Sequence, residues 1–425
     1  MGKLTTYLKR DRHTLLYRIV GFSLILSFLL RLKFLLFQYL KMPAMDLYNK
    51  YSVTEFLINY QGGFVRRGLI GEGLFQLRRH FDFDLLAVVM TLSIIFYLAV
   101  ICFFFWKFRK KGYNWWVLMS PLLLNMPYFM IRKEYLMYGL FILTLYCLAS
   151  KPSEIAGKIG ACLILCIALL IHEPILFWGV PIYILFLCSS SSHRKVNYVL
   201  ACIPLIFAGV AMLAKGSPAT VDAINTSWNS ILPGEPMVDN WNNSIGALGW
   251  DIKWALRFHW DINKGEYSVG RFFTPFIAFA AYYMFSNFMF VFNGKGLMTK
   301  AERREKKLAI SLLYAGSLIT LIPLFTLLSC DLIRIYQYAG IATFATFLIL
   351  PIERILRMYP EWMKKYIIRF NAWLERMLPP GKGWMIFLLF FLVGEPRNFM
   401  DYWHQTDAGV LFDAILSLRR LIGGA

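Results

Sequence analysis

Four short stretches of this chain carry side chains able to do chemistry, and each lies against apolar sequence. His172-Glu173-Pro174 interrupts the run LLIHEPILF. A histidine there can act as a general base or donate to an oxyanion, and a neighbouring carboxylate would raise its basicity. The spacing is not HExxH, because position 176 is Leu, which argues against a metalloprotease. Arg66-Arg67 stand inside GGFVRRG, and paired guanidiniums suit phosphate or carboxylate through bidentate hydrogen bonds. Glycines around them permit close approach of a ligand. Arg132-Lys133-Glu134 fill a tight turn between two apolar runs. Asp331 and Arg334, in SCDLIRIYQY, are three apart and share a helix face. Each stretch also has a plain structural reading: arginines snorkelling to lipid phosphates, a salt-bridged hairpin, a packing histidine beside a proline break, a local ion pair. Asp46 and Glu72 are outer carboxylates after the first apolar run, able to act as base or substrate contact, or equally as helix caps or solvated charges.

The elements that must position these residues are membrane helices. Of 425 residues, 58% are hydrophobic and only 16% charged. A water-soluble chain of this size cannot bury that much apolar surface. Runs able to cross a ~30 Å hydrocarbon core recur throughout. We expect an all-α polytopic membrane protein with spans near 15–40, 83–106, 114–131, 135–150, 159–171, 175–188, 197–214, 271–293, 308–329, 335–352 and 383–394, about eleven in all. The alternation of a membrane barrel is absent. The first run lacks a small-residue cleavage site and reads as a retained helix. With the N-terminus inside, the inner pieces are the shorter set and still hold more Lys and Arg, as the positive-inside bias requires. Segments 293–308 and 351–383 are then basic cytoplasmic pieces, and 41–82 and 215–271 are outer loops of a single membrane domain, 1–425.

That topology puts all four polar stretches at outer helix ends. The 41–82 loop reads as interfacial helices broken at Gly62-Gly63. The 215–271 loop, rich in Asn, Trp, Gly and Pro, reads as irregular, with its tryptophans serving as interface anchors or as a sugar-stacking platform. The net charge of +20 reflects basic loops that set topology, not nucleic-acid binding. The seven cysteines all lie in or beside apolar runs and read as small packing residues.

The segment Met130–Phe186 resembles the core of EpsG-like, Wzy-type polysaccharide polymerases: an arginine opening one span, a short basic turn, then a histidine in the next span. MDLYNKY is similar to the family's acidic and tyrosine positions after the first span. The layout also looks like the GT-C class of polyprenyl-phosphate-dependent membrane glycosyltransferases. The resemblance implies chemistry on the outer face of the bacterial inner membrane, with an undecaprenyl-(pyro)phosphate-linked sugar or oligosaccharide as donor, for O-antigen or capsule. Arg132 would match the family arginine, His172 the histidine and Asp46 the early acidic residue. Glu173 and the GGFVRRG stretch depart from the polymerase pattern and leave polymerase and single-sugar transferase both open.

On this reading Arg66, Arg67, Arg132 and Lys133, with Asp331 and Arg334, bind the donor's phosphates. His172, oriented by Glu173, or else Asp46, deprotonates the acceptor. Arginines can neutralise phosphate without a bound metal, and a divalent ion remains compatible with the chemistry. The expected partners are the lipid-linked glycan, membrane lipid, and a flippase and chain-length regulator of the same pathway. The rival function is a transporter or flippase of an anionic lipid-linked glycan, which would also want a cationic cavity. Neither the inverted repeats nor the paired helix breaks of such transporters are visible.

Overall fold

The computed structural model describes residues 50–113, 132–150, 155–231, 244–267, 299–328 and 332–377. Among them every regular element is helical. The expected spans 15–40, 114–131, 271–293 and 383–394 lie outside these residues, wholly or for the most part.

Two helices open the described chain, α1 (Lys50–Phe56) and α2 (Gly68–His80). The first long apolar helix is α3 (Leu85–Lys110), started by Asp84, whose carboxylate accepts from Ala87 N at 3.0 Å. Lys107, Arg109 and Lys110 fill its last turn, where cations complement the helix dipole. Next come α4 (Glu134–Ser150) and α5 (Ile155–Ile171). The expected 175–188 span is helical, as α6 (Ile175–Trp178) and α7 (Val180–Cys188), which follow one another through Gly179, itself in the right-handed helical region. The chain continues through α8 (Arg194–Leu213) and α9 (Pro218–Asn229). A 3-10 turn at Gly246–Gly249 leads to α10 (Ile252–Tyr267). The helix α11 (Lys300–Pro323) runs into a π turn at Leu324–Leu328, then α12 (Leu332–Ile349), α13 (Ile352–Arg357) and α14 (Glu361–Met377).

Among the described residues, three helices are long and apolar enough to cross a membrane: Leu85–Lys110, Arg194–Leu213 and Ala301–Leu328, with mean hydropathies of 2.7, 2.2 and 2.1. Four shorter apolar helices, Glu134–Ala149, Ile155–Ile171, Ile175–Cys188 and Gln337–Ile349, accompany them.

Two expectations change. Segment 215–271, expected as an irregular outer loop, is not irregular where it is described: Ser217 caps α9 by accepting from Thr220 N, Pro218 starts the helix, and α10 follows. The basic stretch beginning at Lys300 is no loop either. Thr299 and Glu302 form a reciprocal capping box, so the charged sequence is the first two turns of a helix whose remainder is long and apolar enough to cross a membrane.

The packing has two centres. A large core joins the apolar helices, with Phe104, Phe141, Leu165, Leu169, Trp178, Tyr183, Leu313 and Phe344 inside it. A smaller one joins α1, α2 and α9 to the start of α3 through Phe56, Leu57, Ile58, Phe75 and Val221. Trp228 of α9 is its keystone: the indole N–H donates to Leu57 O at 2.7 Å and the ring meets Phe75 edge-on at 5.3 Å. The two helices of segment 41–82 are therefore parts of a packed cap with α9.

Candidate functional site at the seam between the two cores

The GGFVRRG stretch crosses from the cap to the large core, and its backbone is fastened at several points. Glu72 accepts from Tyr60 N at 2.9 Å and from the side-chain amides of Gln61 and Gln76. Glu72 is thus a structural fastener inside the cap. Gly71 lies against Ile58, where a β-carbon would stand 1.9 Å from the carbonyl oxygen, so no larger residue fits. Arg66 N donates to Ala214 O at 3.1 Å, tying the loop to the end of α8. Arg67, the residue before α2, has φ 66, in the left-handed region. For a non-glycine residue this costs on the order of 1–2 kcal/mol, which the surrounding contacts must offset.

Those contacts gather the separate polar stretches. Arg67 Nε donates to both Glu173 oxygens at 2.9 and 2.7 Å, and Nη2 donates to Oε1 at 2.7 Å. Its Nη1 donates to Glu55 Oε1 at 3.0 Å. Lys133 Nζ donates to the Arg67 carbonyl at 2.9 Å and sits 5.7 Å from the Phe56 ring centroid. Arg66 Nη1 approaches Glu173 to 3.7 Å. On the other side, Arg334 at the start of α12 meets Glu134 Oε1 at 3.1 Å. Tyr338 one turn on donates to the same oxygen at 3.3 Å.

His172 lies between the two groups of charges. It follows the last turn of α5, with its N–H still bonded to Ala168 O at 2.9 Å. Pro174 then ends the helix, since it has no N–H to offer. The imidazole is 2% exposed. Its Nδ1 is 3.5 Å from Glu55 Oε1 and its Nε2 is 3.6 Å from Glu134 Oε1, both longer than a hydrogen bond. Glu173 Oε2 is 3.8 Å from Nδ1.

Burial opposes ionisation of Glu173, but the Arg67 guanidinium, by charge and hydrogen bond, outweighs it. With Arg66 and His172 adding to the pull, the carboxyl is held well below the usual carboxylate range. At Glu55 burial is likewise overcome, here by His172 and Arg67. Burial pushes the Lys133 ammonium down to about 8, against the pull of Glu55.

The residues singled out from sequence therefore fall into two sets. Arg66, Arg67, Lys133, His172, Glu173 and Arg334 are brought together, and Arg132 precedes Lys133 in the same turn, close enough for its charge to act on Glu134. Asp46 and Asp331 lie outside the described residues. The expected division of labour shifts. Glu173 is spent chiefly on Arg67, and the groups that face the His172 nitrogens most closely are Glu55 and Glu134. Neither was singled out as a site residue. Glu134 was visible as the third member of the RKE turn. Glu55, in SVTEFLI, offered only the signal of one carboxylate amid apolar neighbours, and it is 2% exposed.

Glu55, Glu134 and His172 each place a ligand atom within 4.8 Å of the others, so they could hold a metal ion. The carboxylate oxygens facing the histidine are, however, the ones Arg67 and Arg334 engage. These guanidiniums already supply the positive charge that a metal would bring. The arrangement can do two things without one. It can set an imidazole between two carboxylates, and it can present an anion with cations in excess: Arg66, Arg67, Arg132, Lys133 and Arg334 against Glu55, Glu134 and Glu173.

Comparison with protein-family models, with curated proteins and with solved structures finds no match to this chain.

Proposed function

We propose that the protein is a bacterial inner-membrane glycosyltransferase of GT-C-like architecture, with about eleven spans and a cytoplasmic N-terminus. It uses an undecaprenyl-(pyro)phosphate-linked sugar or oligosaccharide on the outer face, as a polysaccharide polymerase or a single-sugar transferase. The observation that carries this reading is the cluster itself: a buried imidazole flanked by carboxylates, ringed by an excess of guanidinium and ammonium groups, at the ends of apolar helices. Ionisable groups at such depth are costly and call for a function. In the reaction, the bond from the anomeric carbon to the carrier phosphate breaks and a bond to the acceptor oxygen forms. The acceptor's proton passes to His172, whose ring nitrogens face Glu55 and Glu134. The carrier leaves as phosphate or pyrophosphate, and Arg66 and Arg132 stabilise its charge. Arg67 positions Glu55 and Glu173 and does not need to touch the donor.

The buried carboxylate–imidazole–carboxylate row favours one rival, a transporter that couples glycan movement to protons. A deletion strain complemented with wild type, Arg66→Ala, Arg132→Ala or His172→Ala, each checked for membrane insertion, separates the readings. An enzyme releases free polyprenyl carrier, and the inserted variants lose that release together with long glycan chains or one sugar per unit. Variants that all complement fully overturn the site. Glycan that accumulates inside with no effect on carrier release makes the protein a transporter.

A further inference from the structure

The other end of the bundle carries a feature the cluster does not use. Among the described residues, helix α14 packs on α11 through one face. Ile367 and Leu374 are buried there, with Met363 and Phe370 beside them. Lys307 Nζ donates to Glu375 Oε1 at 2.9 Å, and Asn371 Nδ2 to Ser311 Oγ at 3.2 Å. A second face is apolar yet open: Trp362 is 71% exposed, Tyr366 68%, Trp373 41% and Met377 64%. At 100° per residue these four fall within one narrow stripe. Lys365, Arg369 and Arg376, all exposed, run along its edge.

The contacts with α11 fix the level of this stripe. Glu375 meets Lys307, the last residue of the charged first turns of α11, and Asn371 meets Ser311, just inside the apolar part. Earlier in the chain, the Tyr359 hydroxyl abuts Gly316, deeper still. The helix therefore slants outward across the boundary between apolar and charged sequence, with Trp362 and Tyr366 on the deeper side. Aromatic side chains at that level favour the headgroup region, and adjacent lysines and arginines reach anionic phosphate.

We propose that α14 is an interfacial anchor. Its Trp362/Tyr366/Trp373/Met377 stripe inserts beside the acyl–headgroup boundary, and Lys365, Arg369 and Arg376 select anionic phospholipid. The occupant is lipid because the stripe is aromatic and flanked by cations and sits at the level where α11 changes from charged to apolar. This inference stands whether or not the glycosyltransferase reading holds.

The test uses the full chain in nanodiscs of phosphatidylethanolamine and phosphatidylglycerol, with a photo-crosslinking amino acid at position 362, 366 or 373 and mass spectrometry of the adducts. The expected result is phospholipid adducts at all three positions, with phosphatidylglycerol enriched over its share of the bilayer. Each cation contributes on the order of fivefold at most. Lys365→Gln/Arg369→Gln/Arg376→Gln, all on the exposed surface, should return the adduct ratio to the bilayer composition. Adducts to a second copy or another protein, or no lipid adduct, overturn the anchor. Lipid adducts whose composition is unchanged in the triple variant overturn the anionic selection.

Discussion

Glu173→Gln removes the charge on which Arg67 is organised. The substitution keeps the shape and one carbonyl oxygen but loses the carboxylate that takes three hydrogen bonds from Arg67. Removing one partner of a buried ion pair costs about 3–5 kcal/mol, because the other charge is left uncompensated. Here the lower end applies. The Arg67 side chain is 21% exposed and keeps Glu55 as a second partner. The left-handed backbone at Arg67 adds to the loss, since the contacts that hold it weaken. A cost of about 3 kcal/mol lowers the Tm of a large helical protein by roughly 5 °C. Intrinsic fluorescence reads this directly, with 13 tryptophans in the chain. The companion variant is Arg67→Met. If the pair is formed, the double variant is less destabilised than the sum of the singles, with a coupling of about 1–3 kcal/mol. A Glu173→Gln protein that melts with wild type, or single effects that simply add, would refute the pairing and with it the convergence of the two stretches.

Gly71→Ala should destabilise the cap severely, because its β-carbon has only the Ile58 carbonyl to displace, whereas Gly73→Ala, with open space around it, should be neutral; thermal melting of the two variants side by side checks this. Trp228→Phe loses the bond to Leu57 O and leaves that buried carbonyl without its donor, for about 1–3 kcal/mol, read as a lower Tm. Acid should weaken the seam. Glu173 and Glu55 both titrate below the ordinary carboxylate value of 4.5, so their stabilisation is complete above that pH and is lost as pH falls through their folded-state values. The Tm should drop below about pH 4.5, and Glu173→Gln should show a shallower drop; identical acid profiles would remove Glu173 from the account.

How much of this was legible in the sequence differs between fold and site for a physical reason. Apolar run length alone locates the helices over 85–110, 134–150, 155–171 and 194–213, because in lipid every backbone group must bond within its own segment. The break at Pro174 and the glycine-broken loop before Arg66 were visible as well. What run length does not show is how a polar segment folds outside the lipid. Ser217-Pro218 and Thr299-x-x-Glu302 are helix starts written in the sequence, yet the Asn, Trp and charge content around them reads as loop. Their helices are held by packing with distant partners such as Leu57 and Glu375.

The site was legible as a set of costs and not as a set of pairings. Arg66-Arg67, Arg132-Lys133, His172-Glu173 and Arg334 each stand where a charge needs a partner, and that alone marked them. Which partner each would take depends on how the cap docks on the bundle. Arg67 is the hinge of that docking: its side chain joins Glu55 of the cap to Glu173 of the bundle, and its carbonyl receives Lys133. A pair of adjacent arginines reads as one doubled binding group, yet the left-handed turn at Arg67 sends the two neighbours to different work. Arg67 is consumed in joining the two cores, and Arg66, its side chain 34% exposed, remains the more accessible cation. The same logic explains Glu55. A lone carboxylate on a short helix reads as a solvated face until the segment twelve residues later folds back over it and turns it into the counter-charge that the histidine and the arginine share.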